Sequence, residues 1–248
     1  MTTLVEILVA GHRTLQQAAP MPELEPADIA AAYATQVAVA QALGASISGW
    51  KAGMRPDGTA MAAPLYASLM RGNGATWTLP GVGNPLVCEV EVAFRLNRDL
   101  PPRATAYSRS DIAAAVAEVV VGIELVRGRF GGPSAPPFHT LLADNVVNAG
   151  YIVGEARKGL GTLDVTRLRC RYALDGKPVH DAVGGHPQDD PFAPIMACAN
   201  AGNLPFGGLR AGQLITTGTL VPPFKLTEPV VVTAELEDIG SVTLRMVA

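Results

Sequence analysis

Apolar residues recur at helical spacing at Leu4, Ile7, Leu8 and Leu15. They recur again through "EPADIAAAYATQVAVAQALG", which Pro26 opens and Gly44 closes. The pattern predicts two helices, making residues 1–45 an N-terminal helical segment ahead of a domain over 46–248. The period then shortens. "ISGWKAGM" (47–54) is predicted as a short strand with a glycine on either side of Lys51, and the Pro/Gly/Ala-rich stretch to Pro85 as loop with short strand fragments. "LVCEVEVAFRL" (86–96) alternates as a strand, and "SRSDIAAAVAEV" (108–119) reads as a helix opened by a Ser or Asp cap. "VVVGIELVRGRF" (119–130) is again strand-like, and "GGPSAPP" breaks the chain. From Tyr151 onward strands are predicted near 151–156, 164–174, 178–183, 213–217, 228–236 and 240–247, with "DPFAPIMACANAG" (190–202) the one helix among them. Helices first and strands later, without regular βα alternation, predict an α+β fold built on a mixed or largely antiparallel, curved sheet.

Composition narrows the function classes. The chain has 248 residues, 48% hydrophobic and 17% charged, enough apolar material for a sizeable core. Net charge is −3, and the one arginine-rich run, "RLRCRY" (167–172), would place its arginines on a single solvated strand face, so nucleic-acid binding is not expected. Cys88, Cys170 and Cys198 form no CxxC pair and are odd in number, which fits a reducing cytoplasm. No run approaches the ~18 apolar residues of a membrane span, and the first residues lack the apolar core of a secretion signal. Dinucleotide and ATP binding are disfavoured because no GxGxxG follows a strand and no GxxxxGK[ST] occurs.

The chemistry concentrates in carboxylates. On a strand, Glu89 and Glu91 share one face while Cys88, Val90, Val92 and Phe94 line the other. A solvated acidic face would explain that pair without any function. Glu124 is different, because valines and an isoleucine flank it on both parities. An ionised carboxylate buried there costs several kcal/mol unless it is paired, protonated or metal-bound. Arg127 and Arg129 are near enough in sequence to pair with it. Alternatively, three converging carboxylates would be relieved by a hard divalent cation, Mg²⁺, Mn²⁺ or Ca²⁺ rather than zinc. Lys51, Asp144, Asn145 and the hydroxyls of "ITTGT" (215–219) also sit in apolar or glycine-rich company, where surface snorkelling, an Asx turn or a plain strand exit would serve equally well.

The ordered set "GWKAG", "CEVEVAFRLNRDLPP", "GIELVRGRF", "LLADN" and "LRAGQLITTGT" resembles the fumarylacetoacetate hydrolase superfamily. Within it the chain is most similar to the branch of 2-keto-4-pentenoate hydratases and 4-oxalocrotonate decarboxylases, a likeness that "AGHRT" and "AAYATQ" extend to the N-terminal helices. The resemblance implies a mixed sheet rolled into a barrel-like core, with Mg²⁺ or Mn²⁺ held by Glu89, Glu91 and Glu124. It places Lys51 and Asp144 at catalytic positions, and Arg129, Asn145, Thr217 and Gly218 at substrate-binding ones. It further implies a cytoplasmic homo-oligomer, a lyase acting on a small 2-oxo acid through an enolate by hydration or decarboxylation, with Lys51 lowered in pKa if desolvated beside the metal. Alternatives are a C–C bond hydrolase of the same superfamily and a catalytically silent 2-oxo acid binder. The chain departs from the branch in reading Arg127-Gly128-Arg129 where acidic-small-arginine is usual, and in carrying Val147 where hydratases commonly have a serine.

Overall fold

A computed structural model of the chain describes residues 2–81, 85–132 and 136–248, so the centre of the "GGPSAPP" break lies outside the described residues. The elements run α1 (Leu4–Thr14), α2 (Ile29–Leu43), β1 (Ile47–Met54), β2 (Ala60–Tyr66), β3 (Met70–Gly72), β4 (Ala75–Thr78), β5 (Leu86–Leu96) and α3 (Arg109–Ala114). They continue with β6 (Val116–Val126), α4 (Phe138–Ala143), β7 (Asn148–Lys158), β8 (Arg169–Leu174), β9 (Lys177–Val183), α5 (Phe192–Ala201), β10 (Leu214–Thr219), β11 (Phe224–Leu226), β12 (Val230–Leu236) and β13 (Gly240–Val247).

The N-terminal helices start where their caps dictate. Thr3 and Glu6 form a reciprocal capping box on α1, and Asp28 accepts from Ala31 N at 2.7 Å to open α2, which Gly44 closes at φ 62°. Leu4, Leu8, Val9, Ala32, Tyr33 and Val39 bury their faces against Leu142 and Ala143 of α4. Gln36, fully buried on α2, donates to the carbonyls of Ala62 (3.1 Å) and Leu142 (2.6 Å), tying the helical segment to the sheet.

A mixed sheet, ordered β2-β1-β10-β5-β6-β7-β3 with β11 also on β5, curls as a half-barrel, and a second sheet, β4-β13-β12-β8-β9, closes over one of its faces. The pairs β1/β10, β3/β7 and β4/β13 are parallel; the others are antiparallel. Between the sheets Val90, Val92, Phe94, Val121 and Ile123 meet Val232, Ala234, Val242 and Leu244, all nearly inaccessible. Each of the valines, isoleucine, leucine and phenylalanine contributes roughly 1.5–3 kcal/mol on burial.

The predicted architecture holds, with local differences. The helix expected over 108–119 stops at Ala114, because Val116–Val126 pairs along its length with β5 and β-branched residues favour that ladder over a helical turn. α4 and β11 fall in segments for which the pattern predicts no element, β8 begins only at Arg169, and β2 is a full strand despite Pro64. β2 lies at the sheet edge, where a missing N–H breaks no ladder. The arginines of "RLRCRY" do lie outward: Arg169 pairs with Asp181 at 2.6 Å, and Arg171 with Glu235 and Glu237 at 3.2 Å. Arg169 and Arg171 are thus charge-paired on the surface. All three cysteines are free and buried, and no described helix is long and apolar enough to cross a membrane.

Candidate metal centre

Strand register collects the polar side chains. Glu89 pairs with Glu124, Glu91 with Gly122 and Ala93 with Val120 across β5 and β6, so both glutamates of β5 share a face with Glu124. Tyr151 of β7 opposes Glu124, Thr216 of β10 opposes Ala93, and Lys51 of β1 opposes Thr216. Residues directly opposite in a sheet point the same way. Five adjacent strands therefore each place a polar residue on the face turned away from the second sheet.

The carboxylates converge. One oxygen from each of Glu89, Glu91 and Glu124 lies within 4.8 Å of the other two. Lys51 Nζ is 3.0 Å from Glu124 Oε2 and 3.8 Å from Glu89 Oε2, and donates to the Val146 carbonyl at 3.4 Å. Glu124 and Glu91 are wholly buried, whereas the Lys51 and Glu89 side chains keep 14% and 17% of their surface open, so these two form the accessible side of the cluster.

Partners orient each buried carboxylate. Asn148 Nδ2 donates to Glu124 Oε1 at 2.8 Å. The Thr216 hydroxyl bonds to Glu91 Oε2, and Tyr151 OH lies 3.1 Å from Thr216 Oγ1. Tyr151 reaches that point by lying across Gly122, where any Cβ would collide with its ring. Gly122→Ala is expected to destabilise the protein by about 1–3 kcal/mol through overpacking, read as a lowered melting temperature in scanning calorimetry.

Burial raises Glu91 well above the usual carboxylate range, and the charges of Glu124 and Glu89 push the same way against Lys51 and Thr216. Burial also raises Glu124, with Lys51 opposing. For Lys51, burial works against the charge but the carboxylates of Glu124, Glu89 and Glu91 outweigh it, so its pKa is raised. In the metal-free site the carboxylates thus outweigh the desolvation of Lys51.

The "LLADN" segment forms a second cluster. Asn145, Val146 and Val147 all adopt left-handed backbone, φ 52°, 46° and 56°, strain of the order of 1–2 kcal/mol per residue for side chains with a Cβ. The turn aims the Val146 carbonyl at Lys51 and delivers Asn148 to Glu124. Arg129 clamps it: Nη1 and Nη2 donate to the Asn148 carbonyl at 2.7 and 2.8 Å, Nη1 also to Arg127 O, and its main-chain N–H to Asp144 Oδ2 at 2.7 Å. Arg129 Nε lies 2.6 Å from Asp144 Oδ1, an ion pair without hydrogen-bond alignment. Burial raises Asp144 against the pull of Arg129.

Of the residues picked from sequence, the fold thus brings together Lys51, Glu89, Glu91 and Glu124. Asp144 and Arg129 face each other, and their recorded polar contacts do not include Lys51 or open space. Asn145 Nδ2 reaches Pro64 O at 3.5 Å, and its buried Oδ1 has no partner among the described residues. Thr217 Oγ1 lies on the Val92 carbonyl, and Gly218, at φ 123°, packs by His186. Thr216 is one of the hydroxyls that "ITTGT" offers, whereas no motif in the sequence marks Tyr151 or Asn148. A glycine inside the apolar run "VVVGIELV" was the available signal for the close approach of Tyr151.

The donor set fits a divalent cation. Glu91 Oε1 is buried with no hydrogen-bond partner among the described residues, which an ion would supply. Two oxygens on one ion are at most about 4.2 Å apart at Mg–O distances and about 5 Å at Ca–O distances, so carboxylate oxygens within 4.8 Å of one another could share a Ca²⁺ as placed or a Mg²⁺ after a small inward shift. All-oxygen coordination suits Mg²⁺, Mn²⁺ or Ca²⁺.

Residues 31–247 match the profile of the fumarylacetoacetate (FAA) hydrolase C-terminal family, and the chain belongs to that family. Over 178 residues it is 29% identical to a 2-keto-4-pentenoate hydratase of Burkholderia vietnamiensis (strain G4 / LMG 22486), covering 72% of this chain and 66% of that protein, just under two thirds of the relative's length. Over 157 residues it is 26% identical to a 4-oxalocrotonate decarboxylase of Pseudomonas sp, covering 62% and 58%. The fold is shared with 4-oxalocrotonate decarboxylase from Pseudomonas putida G7, solved with magnesium and adipate: TM-score 0.85 at 20% identity, covering 98% of this chain and 96% of that one.

Proposed function

We propose that the chain is a divalent-cation-dependent lyase acting on a small 2-oxo acid, by hydration or decarboxylation. The observation that carries this is the meeting of Glu89, Glu91 and Glu124 beside Lys51 on one sheet face. The hydratase and decarboxylase names of the relatives support the reaction class. In this reading the three carboxylates hold Mg²⁺ or Mn²⁺, which when bound supplies Lewis-acid stabilisation of charge developing on a 2-oxo oxygen. Lys51, on the open side of the cluster, holds and transfers the proton at Nζ. Asn148, Thr216 and Tyr151 hold Glu124 and Glu91 in place, a task that fixes ligand geometry in metal sites generally.

Asp144 and Arg129 we assign to bracing the left-handed turn that presents Val146 O and Asn148, and Asn145 to the substrate side of that turn. The hydroxyl next to the site is that of Thr216, with Thr217 and Gly218 shaping the strand exit behind it. Residues 1–45 serve as a helical brace on a catalytic domain over 46–248, supported by the two hydrogen bonds of Gln36. The homo-oligomeric, cytoplasmic setting implied by the resemblance belongs to the same reading, and free buried thiols suit a reducing compartment.

Val147 favours decarboxylation over hydration, since the turn carries no hydroxyl where hydratases commonly have one. Turnover decides. The purified chain with saturating Mg²⁺ or Mn²⁺ is expected to consume at least one member of a panel of unsaturated and dicarboxylic 2-oxo acids, with loss of rate in EDTA. Binding without turnover of any member would establish the silent alternative, and rates undiminished by EDTA would remove the metal from the mechanism.

A further inference from the structure

A cavity of about 340 Å³ lies between α1, strands β3 and β4, and the segment after β6, within the size range of small-molecule pockets, about 300–1,000 Å³. Neither the three carboxylates nor Lys51 lines it. Its apolar side includes Leu69, Trp77 and Leu86, and its polar side His12, Arg71, Arg127 and Arg129, with no carboxylate among the described lining residues.

The recorded hydrogen bonds of Arg127 and Arg71 from their guanidinium groups go to main-chain carbonyls: Leu15 at 2.7 Å for Arg127, Ser68 at 2.7 Å and Met70 at 3.0 Å for Arg71. Among the described residues each engages only its Nη1 and neither pairs with a carboxylate, so the other N–H donors are available to solvent or a ligand. Arg127 also lies near Arg129, and burial together with that like charge lowers its pKa. Arg71 sits over the Trp77 ring, 5.5 Å from its centroid. His12 is held neutral, its pKa lowered to about 3 by burial and by Arg129, so it faces the cavity as an uncharged hydrogen-bonding group.

We propose that this cavity binds a small organic carboxylate with a flat or branched apolar body, its charge held by Arg71 and Arg127 and its body against Trp77 and Leu86. Guanidinium forks match a carboxylate in two-point geometry, and an anion there relieves the repulsion between Arg127 and Arg129. The site lies outside the proposed metal centre and does not depend on that centre being catalytic.

Benzoate is the probe, and benzamide its neutral counterpart, with the full chain kept metal-free in EDTA. Trp77 and Trp50 are the only tryptophans, and Trp50 is wholly buried elsewhere, so fluorescence reports the cavity. Benzoate is expected to give a saturable change, with benzamide about tenfold weaker or more, and Arg71→Gln/Arg127→Gln about tenfold weaker for benzoate. Circular dichroism checks folding, and Arg127→Gln alone serves if the double variant unfolds. No saturable change, equal affinity for benzamide, or unaltered benzoate binding in these variants would overturn the proposal. So would benzoate binding that is lost in Glu89→Gln/Glu91→Gln and retained in Arg71→Gln/Arg127→Gln, which would place the probe at the metal centre instead.

Discussion

Glu89→Gln together with Glu91→Gln is expected to lower Mg²⁺ and Mn²⁺ affinity by about 100-fold or more while leaving the fold intact. Hard cations bind through ligand charge, and the exchange removes two of three negative oxygens with almost no change in volume. Stability follows from the opposite side of the same electrostatics. Glu91 is buried among two other carboxylates, with one oxygen unpartnered, so in the metal-free protein its charge is a burden. Neutralising it removes a desolvation penalty of order several kcal/mol that Lys51 only partly offsets. Lys51 keeps Glu124 at 3.0 Å as its counter-ion in the variant. The metal-free variant is therefore expected to melt no lower than the metal-free parent, whereas the stabilisation that added Mg²⁺ gives the parent should vanish. Calorimetric titration with Mg²⁺ and Mn²⁺ measures the first effect and thermal melts with and without metal the second. Undiminished affinity would show that these carboxylates are a buried polar cluster without a cation.

That pair of glutamates was legible because strand alternation is a local rule. Glu89 and Glu91 had to share a face once 86–96 formed a strand, and Glu124 stood out because no parity of its run offered it water. The stop at Gly44 was legible for the same reason, since a cap acts within four residues of its own position; the caps at Thr3 and Asp28 obey the same local rule and emerge only in the structure. What was not legible depends on pairing between distant segments. Lys51 and Thr216 meet across a parallel pair whose register is set over more than 160 residues of chain, and a bulge between Thr216 and Thr219 shifts which residues of "ITTGT" face β5. The residues alone offer every hydroxyl of that segment, and the register turns Thr216 toward Glu91. Likewise Arg129 reads from sequence as near enough to pair with Glu124, and only the left-handed winding of 145–147 shows that its donors close on Asp144 and Asn148 while Lys51 takes Glu124. The short α3 has the same origin: its alanines favour a helix locally, but the ladder to β5 decides.

Lys51→Met is expected to reduce kcat on the accepted 2-oxo acid by about 10²–10⁴-fold, the usual range for loss of a positioned proton-transfer group. Methionine keeps the unbranched stem that crosses the sheet face and deletes only the ammonium. Metal binding should move the other way. The ammonium competes with a cation for Glu124 and Glu89, at 3.0 and 3.8 Å, so its removal should leave Mg²⁺ affinity equal or higher. A fall in kcat at saturating metal, without a fall in metal affinity, separates proton transfer at Nζ from a merely structural counter-ion. If Lys51 only neutralised the carboxylates, the bound cation would replace it in that task, and kcat at saturating Mg²⁺ would stay within about threefold of the parent. Glu124→Gln distinguishes the two further, since it removes a proposed ligand and the main attraction that raises Lys51. In that variant metal affinity and kcat should fall together, whereas in Lys51→Met they should part.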